Sequence, residues 1–155
     1  MNTRRALLRQ SAALAALMAS AGLVPGVARA QAAAWNAAAF DAKSMADLTK
    51  ALGMQAPSLS KDIALQAPDI AENGAVVPVG ASSTLSGVKR LMLLVEKNPA
   101  ILVASFDLTD SVDSAISTRV KMGQSSNVFA VAVMADGRTL FAVKEVKVTL
   151  GGCGG

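Results

Sequence analysis

Short runs rich in apolar residues follow one another along the chain after Ser58 and are separated by turn-forming residues. In the run 139–150, Val146, Val148 and Leu150 alternate with charged or polar residues. A period of two is typical of a β-strand that buries one face. From these runs and the turn signals between them we predict seven strands, at 63–67, 75–80, 88–96, 101–108, 115–122, 127–134 and 139–150, of which several lack clean alternation.

The turns between these runs indicate how the strands are connected. Asp136-Gly137 separates the last two runs, and glycine after an acidic residue is a strong signal for a tight hairpin. Seven strands at short, regular spacing predict an all-β fold, an immunoglobulin-like antiparallel β-sandwich.

One segment before the strands has helical spacing instead. Apolar residues recur there at intervals of three and four: Met45, Leu48 and Leu52. This spacing predicts a short N-terminal amphipathic helix, with Asp41 or Ser44 as its N-cap and Gly53 as its end. We expect this helix to precede the sandwich and to pack at one end of it.

Two of the predicted strands are apolar on both faces. In 127–134, Phe129, Val131 and Val133 share one face, while the other face is also apolar. The strand 88–96 is also apolar on both faces, with Met92 and Leu94 sharing one of them. A sandwich strand needs only one buried face, so the second must be covered. Either the helix or a loop covers it, or a partner subunit does, and the pattern leaves both open.

The first thirty residues have the features of an export signal. Arg4-Arg5 precede an uncharged run, 10–28, and the small-residue pattern Ala28-Arg29-Ala30 precedes Gln31. These features predict a twin-arginine signal peptide at 1–30, cleavage before Gln31, and a periplasmic protein. A membrane anchor is the alternative, but the apolar run is short, Ala-rich and interrupted by Pro25. We expect no membrane association after cleavage.

The charge balance changes once this segment is removed. The whole chain of 155 residues carries a formal charge of +4, but residues 31–155 hold 11 basic and 11 acidic residues. No basic surface for nucleic acid is therefore expected. The length suits one domain, which we place at 41–150, after a loosely held, Ala-rich N-terminal arm at 31–40 and before a flexible tail at 151–155.

The composition excludes several kinds of active site. The chain has no histidine, so a Ser-His-Asp triad, a Cys-His pair and most zinc sites are ruled out. No phosphate-binding or dinucleotide-binding motif occurs in a strand-to-helix setting. We therefore expect no metal and no cofactor.

A single cysteine remains as the candidate for chemistry. Cys153 is flanked by four glycines, Gly151, Gly152, Gly154 and Gly155. Glycine gives this segment, the carrier arm (151–155), great backbone freedom and little width. An unperturbed thiol is mostly protonated at neutral pH, and the nearest cation in sequence is Lys147. The pattern therefore favours a thiol that other enzymes act upon, and not a catalytic one.

Three parts of the sequence resemble one known family. The ending 146–155 with its Gly-Gly-Cys-Gly-Gly, the segment 68–79, and Ser117-Thr118-Arg119-Val120-Lys121 are similar to SoxY, the carrier subunit of the periplasmic Sox sulfur-oxidising system. The twin-arginine signal agrees with this, although Leu7 stands where phenylalanine is commoner.

The resemblance implies a set of partners. It implies a heterodimer with a SoxZ-like subunit, and sulfur bound covalently at Cys153. A haem c enzyme would join thiosulfate to the thiol, a thiosulfohydrolase would release sulfate, and a sulfane dehydrogenase, where present, would oxidise the remaining sulfur. The carrier itself would catalyse none of these steps.

Three other functions compete with this one. A ubiquitin-like sulfur carrier would use Gly154-Gly155, but its activation needs ATP in the cytoplasm, whereas this chain has an export signal. A thiol peroxidase or reductase would need an activating histidine or a resolving cysteine, and the chain has neither. A purely structural exported sandwich protein is the third.

Overall fold

Strands are the main secondary structure in the part of the chain that the computed structural model describes, residues 36–149. The helices are α1 (Ala37–Asp41) and α2 (Met45–Leu52). The strands are β1 (Ser58–Leu59), β2 (Ile63–Gln66), β3 (Ile70–Ala71), β4 (Val77–Ser83), β5 (Val88–Val95), β6 (Leu102–Asp107), β7 (Ala115–Val120), β8 (Ser126–Met134) and β9 (Thr139–Val148). Neither helix in this range is long and apolar enough to cross a membrane.

The strands form two sheets. The larger has the order β1-β9-β8-β5-β6, with β3 also paired to β9, and the smaller has the order β2-β4-β7. Pairing is antiparallel among β2, β4 and β7 and among β5, β6, β8 and β9. The prediction of an all-β fold is confirmed, and each of the seven predicted strands is present within a few residues of its predicted bounds.

Two strands were not predicted, β1 and β3. Each has only two residues, and each pairs parallel with β9, at opposite ends of that strand. A two-residue strand is too short to show a hydrophobic period, so its existence depends on where β9 lies in the folded protein. These two pairs are parallel exceptions to the predicted antiparallel arrangement.

The main core lies between the two sheets. Alternate residues of the central strands face inward and are almost completely buried: Val77, Val79, Ala81, Leu91, Leu93, Val95, Val128, Ala130 and Ala132. Burying a valine or leucine side chain contributes about 1.5–3 kcal/mol, so this layer supplies much of the favourable free energy of folding.

Helix α2 is the helix predicted from the spacing of apolar residues. The Ser44 side chain accepts a hydrogen bond from the Asp47 amide (3.1 Å), which caps the start of the helix. Gly53 ends the helix in the left-handed conformation, with φ of 61°. Of the two N-caps considered, Ser44 is the one used.

The predicted position of the helix is wrong. It does not pack at one end of the sandwich but lies across the outer face of the larger sheet, where Leu48 is completely buried. Beneath the helices lie Met92, Leu94 and Val131, which are also completely buried. The outer face of β5 and β8 is apolar at Met92, Leu94 and Val131, and the helices remove this apolar surface from water.

Helix α1 changes the prediction for the N-terminal arm. Residues 31–35 lie outside the described residues, but residues 37–40 are helical and Ala39 is buried. Asn36 caps this helix by accepting from the Ala39 amide (3.1 Å) and donates to the Ala51 carbonyl of α2 (3.2 Å). Alanine favours helix and allows close approach, so this part of the segment packs as a helix.

Candidate functional site

The predicted site residues lie outside the described part of the chain. These are Cys153 and its flanking glycines, Gly151, Gly152, Gly154 and Gly155. The described residues end at Thr149, directly after β9, and they define the place from which the carrier arm starts. The site is therefore built from the residues that hold the end of β9.

The end of β9 is held on one side by β3. Lys147 and Val148 pair with this strand, and the Lys147 amide donates to the Asp69 carbonyl (3.0 Å). The Thr149 amide donates to the Ala71 carbonyl (3.1 Å). The backbone is thus held by hydrogen bonds up to the second residue before Gly151.

A second set of contacts holds the same strand end. The Ser125 hydroxyl accepts from the Val148 amide (2.9 Å). Gly74 is buried, and a Cβ at this position would lie 2.8 Å from Cγ1 of Val148 and 2.3 Å from the Met122 carbonyl oxygen. The Met122 amide in turn donates to the Gly74 carbonyl (2.7 Å). Only glycine fits so close an approach of two backbones.

Residues 69–76, here called the collar, therefore lie against the end of β9. Within the collar, the Asn73 side chain accepts from the Ala75 amide (2.9 Å), which fixes the turn that passes Gly74. Two large apolar side chains of the collar face outward: Ile70 is 57% exposed and Val76 is 49% exposed.

The collar was not recognised as part of the site from the sequence, although 68–79 was one of the segments that carried the family resemblance. Its strand β3 is too short to show a period, and its proximity to Thr149 is a long-range contact. Gly74 is the one local signal of this contact, because the close approach of the Met122 backbone leaves no room for a side chain.

The reach of the arm follows from this anchoring. Cys153 is four residues beyond Thr149, so its Cα lies at most about 14 Å from that of Thr149 when the backbone is extended. A thiol on this tether could reach a site in another protein only if that protein contacts this one close to the collar.

The described residues form no catalytic or metal-binding constellation. Among them, no group of three or more acidic, histidine or cysteine side chains could hold a metal ion. The pKa of Asp136 is lowered by hydrogen bonds from the backbone and side chain of Arg138. This pair lies in the β8–β9 hairpin, at the opposite end of β9 from Thr149.

The fold and the site define a class of protein: an all-β sandwich in which a glycine-flanked cysteine follows the last strand. Hydrogen bonds hold the backbone of that strand through Thr149. A family model described as "Sulfur oxidation protein SoxY" matches residues 48–153. The match covers more than half of the chain and includes the cysteine, so this chain belongs to the SoxY family.

A solved structure of the same family supports this assignment. The sulfur carrier protein SoxY from Chlorobium limicola f thiosulfatophilum is 33% identical, with a TM-score of 0.59, over 68% of this chain and 96% of that one. The family and this match support a role as a sulfur carrier in sulfur oxidation. No curated protein matches the chain.

Other solved structures share only the fold. A superoxide reductase (neelaredoxin) from Ignicoccus hospitalis is 15% identical over 56% of this chain and 80% of that one, with a TM-score of 0.51. A putative superoxide reductase from Thermotoga maritima is 9% identical over 61% and 88%, with a TM-score of 0.50. At such identities the likeness extends to the architecture and not to the activity.

Proposed function

We propose that this chain is an exported carrier that binds thiosulfate-derived sulfur covalently on Cys153 and presents it to partner enzymes. The observation that carries the proposal is that the family match extends through Cys153, on a segment that follows an anchored strand end. The rigid collar supplies a fixed base, and the glycines supply the freedom to deliver the thiol.

Loading the thiol is an oxidation. The Cys153 sulfur forms a bond to the outer sulfur of thiosulfate, the thiol proton leaves, and two electrons pass to an acceptor, for which we propose a haem c enzyme. Hydrolysis of the adduct then adds one water, breaks the sulfur–sulfonate bond, and releases sulfate and two protons. A persulfide remains on Cys153 for a sulfane dehydrogenase to oxidise.

The carrier itself supplies none of this chemistry in our proposal. The chain has no histidine that could activate the thiol as a nucleophile. Low intrinsic reactivity is useful for a carrier, because an unactivated thiol or adduct reacts slowly until it enters a partner's active site.

We place this cycle in the periplasm. The support is the sequence of residues 1–30, with Arg4-Arg5, an uncharged run and a small-residue cleavage pattern before Gln31. Export as a folded complex by the twin-arginine route would also bring along a partner subunit that has no signal of its own.

We further propose that a SoxZ-like subunit binds the outer face of the larger sheet. Of the two alternatives that the sequence left open for this face, the helices and not a partner subunit cover Met92, Leu94 and Val131. The helices leave a second part of this face only partly covered. We call it the outer strip: Leu59, Phe129, Phe141 and Val143.

The residues of the outer strip are neighbours in the sheet, with Leu59 and Val143 exposed and the two phenylalanines half-buried. Leu59 of β1 pairs with Phe141, and Phe129 pairs with Val143 across β8 and β9. The two phenylalanine rings lie 6.0 Å apart. Val143 is 43% exposed and Leu59 is 70% exposed. Exposed apolar side chains in contact with one another are typical of a protein interface.

The carrier proposal is tested by Cys153→Ser in the complex with its partner subunit. We expect this variant to lose thiosulfate-dependent turnover while its thermal unfolding and its subunit association stay unchanged. Intact mass spectrometry of the wild-type chain should show a thiosulfate adduct that the variant lacks. Turnover that survives Cys153→Ser, or an adduct on another residue, contradicts the proposal.

A further inference from the structure

The place where the backbone before the arm is held, at the end of β9, limits which surface of the carrier a partner enzyme can contact. Resting on the carrier function proposed above, we infer that the collar is the docking surface for the enzymes that act on Cys153, with Ile70 and Val76 as its apolar contacts. The occupant is the rim of an active-site channel that itself carries apolar side chains.

The reach of the arm limits where a partner enzyme can contact the protein. The backbone is fixed through Thr149 by its hydrogen bond to Ala71 (3.1 Å), so only residues beyond it are available for insertion. Their full extension to Cys153 is about 14 Å. If the active site of a partner lies about 10 Å below its surface, Cys153 can reach it only when the rim of the channel comes within a few ångströms of the collar.

The collar exposes two large apolar side chains. Among residues 36–149, five large apolar side chains are strongly exposed, and two of them, Ile70 and Val76, lie within this one short segment. An isolated exposed apolar residue carries little meaning. These two flank the turn whose residues bond to Thr149: the Glu72 carbonyl accepts from its hydroxyl (3.4 Å), and Ala71 accepts from its amide.

Hydrogen bonds also hold the backbone of the collar in place. Backbone hydrogen bonds tie Asp69 to Lys147, Ala71 to Thr149 and Gly74 to Met122, at 3.0, 3.1 and 2.7 Å. Two apolar side chains on a fixed backbone bind a partner with little loss of conformational entropy. The surface is also small, which suits a contact that must form and dissociate at every step of the cycle.

The test uses the wild-type complex, the double variant Ile70→Thr/Val76→Thr, and a matched control. Threonine keeps the β-branched shape and removes apolar surface. Val112→Thr is the control, because Val112 is as exposed as Ile70 (both 57%) but lies in the loop between β6 and β7, at the opposite end of the sandwich. The probe is a purified thiosulfohydrolase acting on carrier loaded with thiosulfate, with sulfate release as the readout.

We expect the KM for the loaded carrier to rise about tenfold in the double variant, since two buried aliphatic contacts are lost. The kcat at saturating carrier should stay unchanged, as should the rate of Cys153 alkylation by a small reagent. Val112→Thr should behave as wild type.

An unchanged KM in the double variant, or an equal rise in Val112→Thr, overturns the inference. Loss of the partner subunit from the double variant on size-exclusion chromatography overturns it as well, because the collar would then be a subunit interface. Should Cys153→Ser retain turnover, the carrier proposal fails and the collar proposal fails with it. If Cys153→Ser is inactive and the double variant has wild-type KM, only the collar proposal fails.

Discussion

Gly74 lies directly against Val148, so that any side chain at position 74 would collide with the last residue of β9. A Cβ there would come within 2.8 Å of Val148 and 2.3 Å of the Met122 carbonyl oxygen. This contact joins the collar to the strand that leads into the carrier arm. The end of β9 is therefore held by a turn about seventy residues earlier in the chain.

We therefore predict that Gly74→Ala destabilises the protein by about 1–3 kcal/mol, because a backbone must move to admit the methyl group. Gly123→Ala is the matched control, since nothing lies within 4 Å of a Cβ at that position. Thermal or urea unfolding measures both. Equal stability of the two variants would show that the close contact at Gly74 does not constrain the fold.

The outer strip gives a prediction about assembly. Val143→Asp should release the partner subunit while the variant chain stays folded, because a charge in the interface is left without a partner at a cost of several kcal/mol. Its control is Val112→Asp, an aspartate at an exposed position on a distant loop. Size-exclusion chromatography with circular dichroism separates dissociation from unfolding. A Val143→Asp complex of wild-type size and stability argues against this face.

The carrier arm gives a prediction that separates delivery from intrinsic reactivity. Replacing Gly151 and Gly152 by valine should leave alkylation of Cys153 by a small reagent nearly unchanged, while turnover by the partner enzymes falls severely. The β-branched pair stiffens and thickens the segment that must enter a channel. The corresponding alanine pair should be affected less. Equal losses in alkylation and in turnover would contradict delivery by a flexible arm.

The export signal gives a prediction about localisation. Replacing Arg4 and Arg5 by lysine should leave the precursor in the cytoplasm, because the twin-arginine pair is read as an address and lysine keeps only the charge. Cell fractionation with immunoblotting measures this, and N-terminal sequencing of the wild-type periplasmic protein should begin at Gln31. Normal export of the lysine variant would indicate the general secretory route instead.

Much of the fold could be predicted because the relevant signals are local. Asp136-Gly137 forms the predicted turn, with Gly137 at φ of 88°. Ser44 and Gly53 bound α2 as their capping chemistry requires. The predicted placement of that helix at the end of the sandwich was wrong, because spacing along one helix does not say which apolar surface it meets.

What the sequence by itself determined is the set of strands, the helix α2 and the one cysteine among glycines, since period, capping and composition are properties of neighbouring residues. What only the tertiary structure decided is which apolar face α1 and α2 cover, and that Ile70, Ala71 and Gly74 surround the end of β9. Those contacts join residues distant in sequence, and two-residue strands such as β3 exist only because β9 offers them hydrogen-bond partners. The contacts that hold the base of the carrier arm therefore form only in the folded chain, and no single segment of the sequence predicts them.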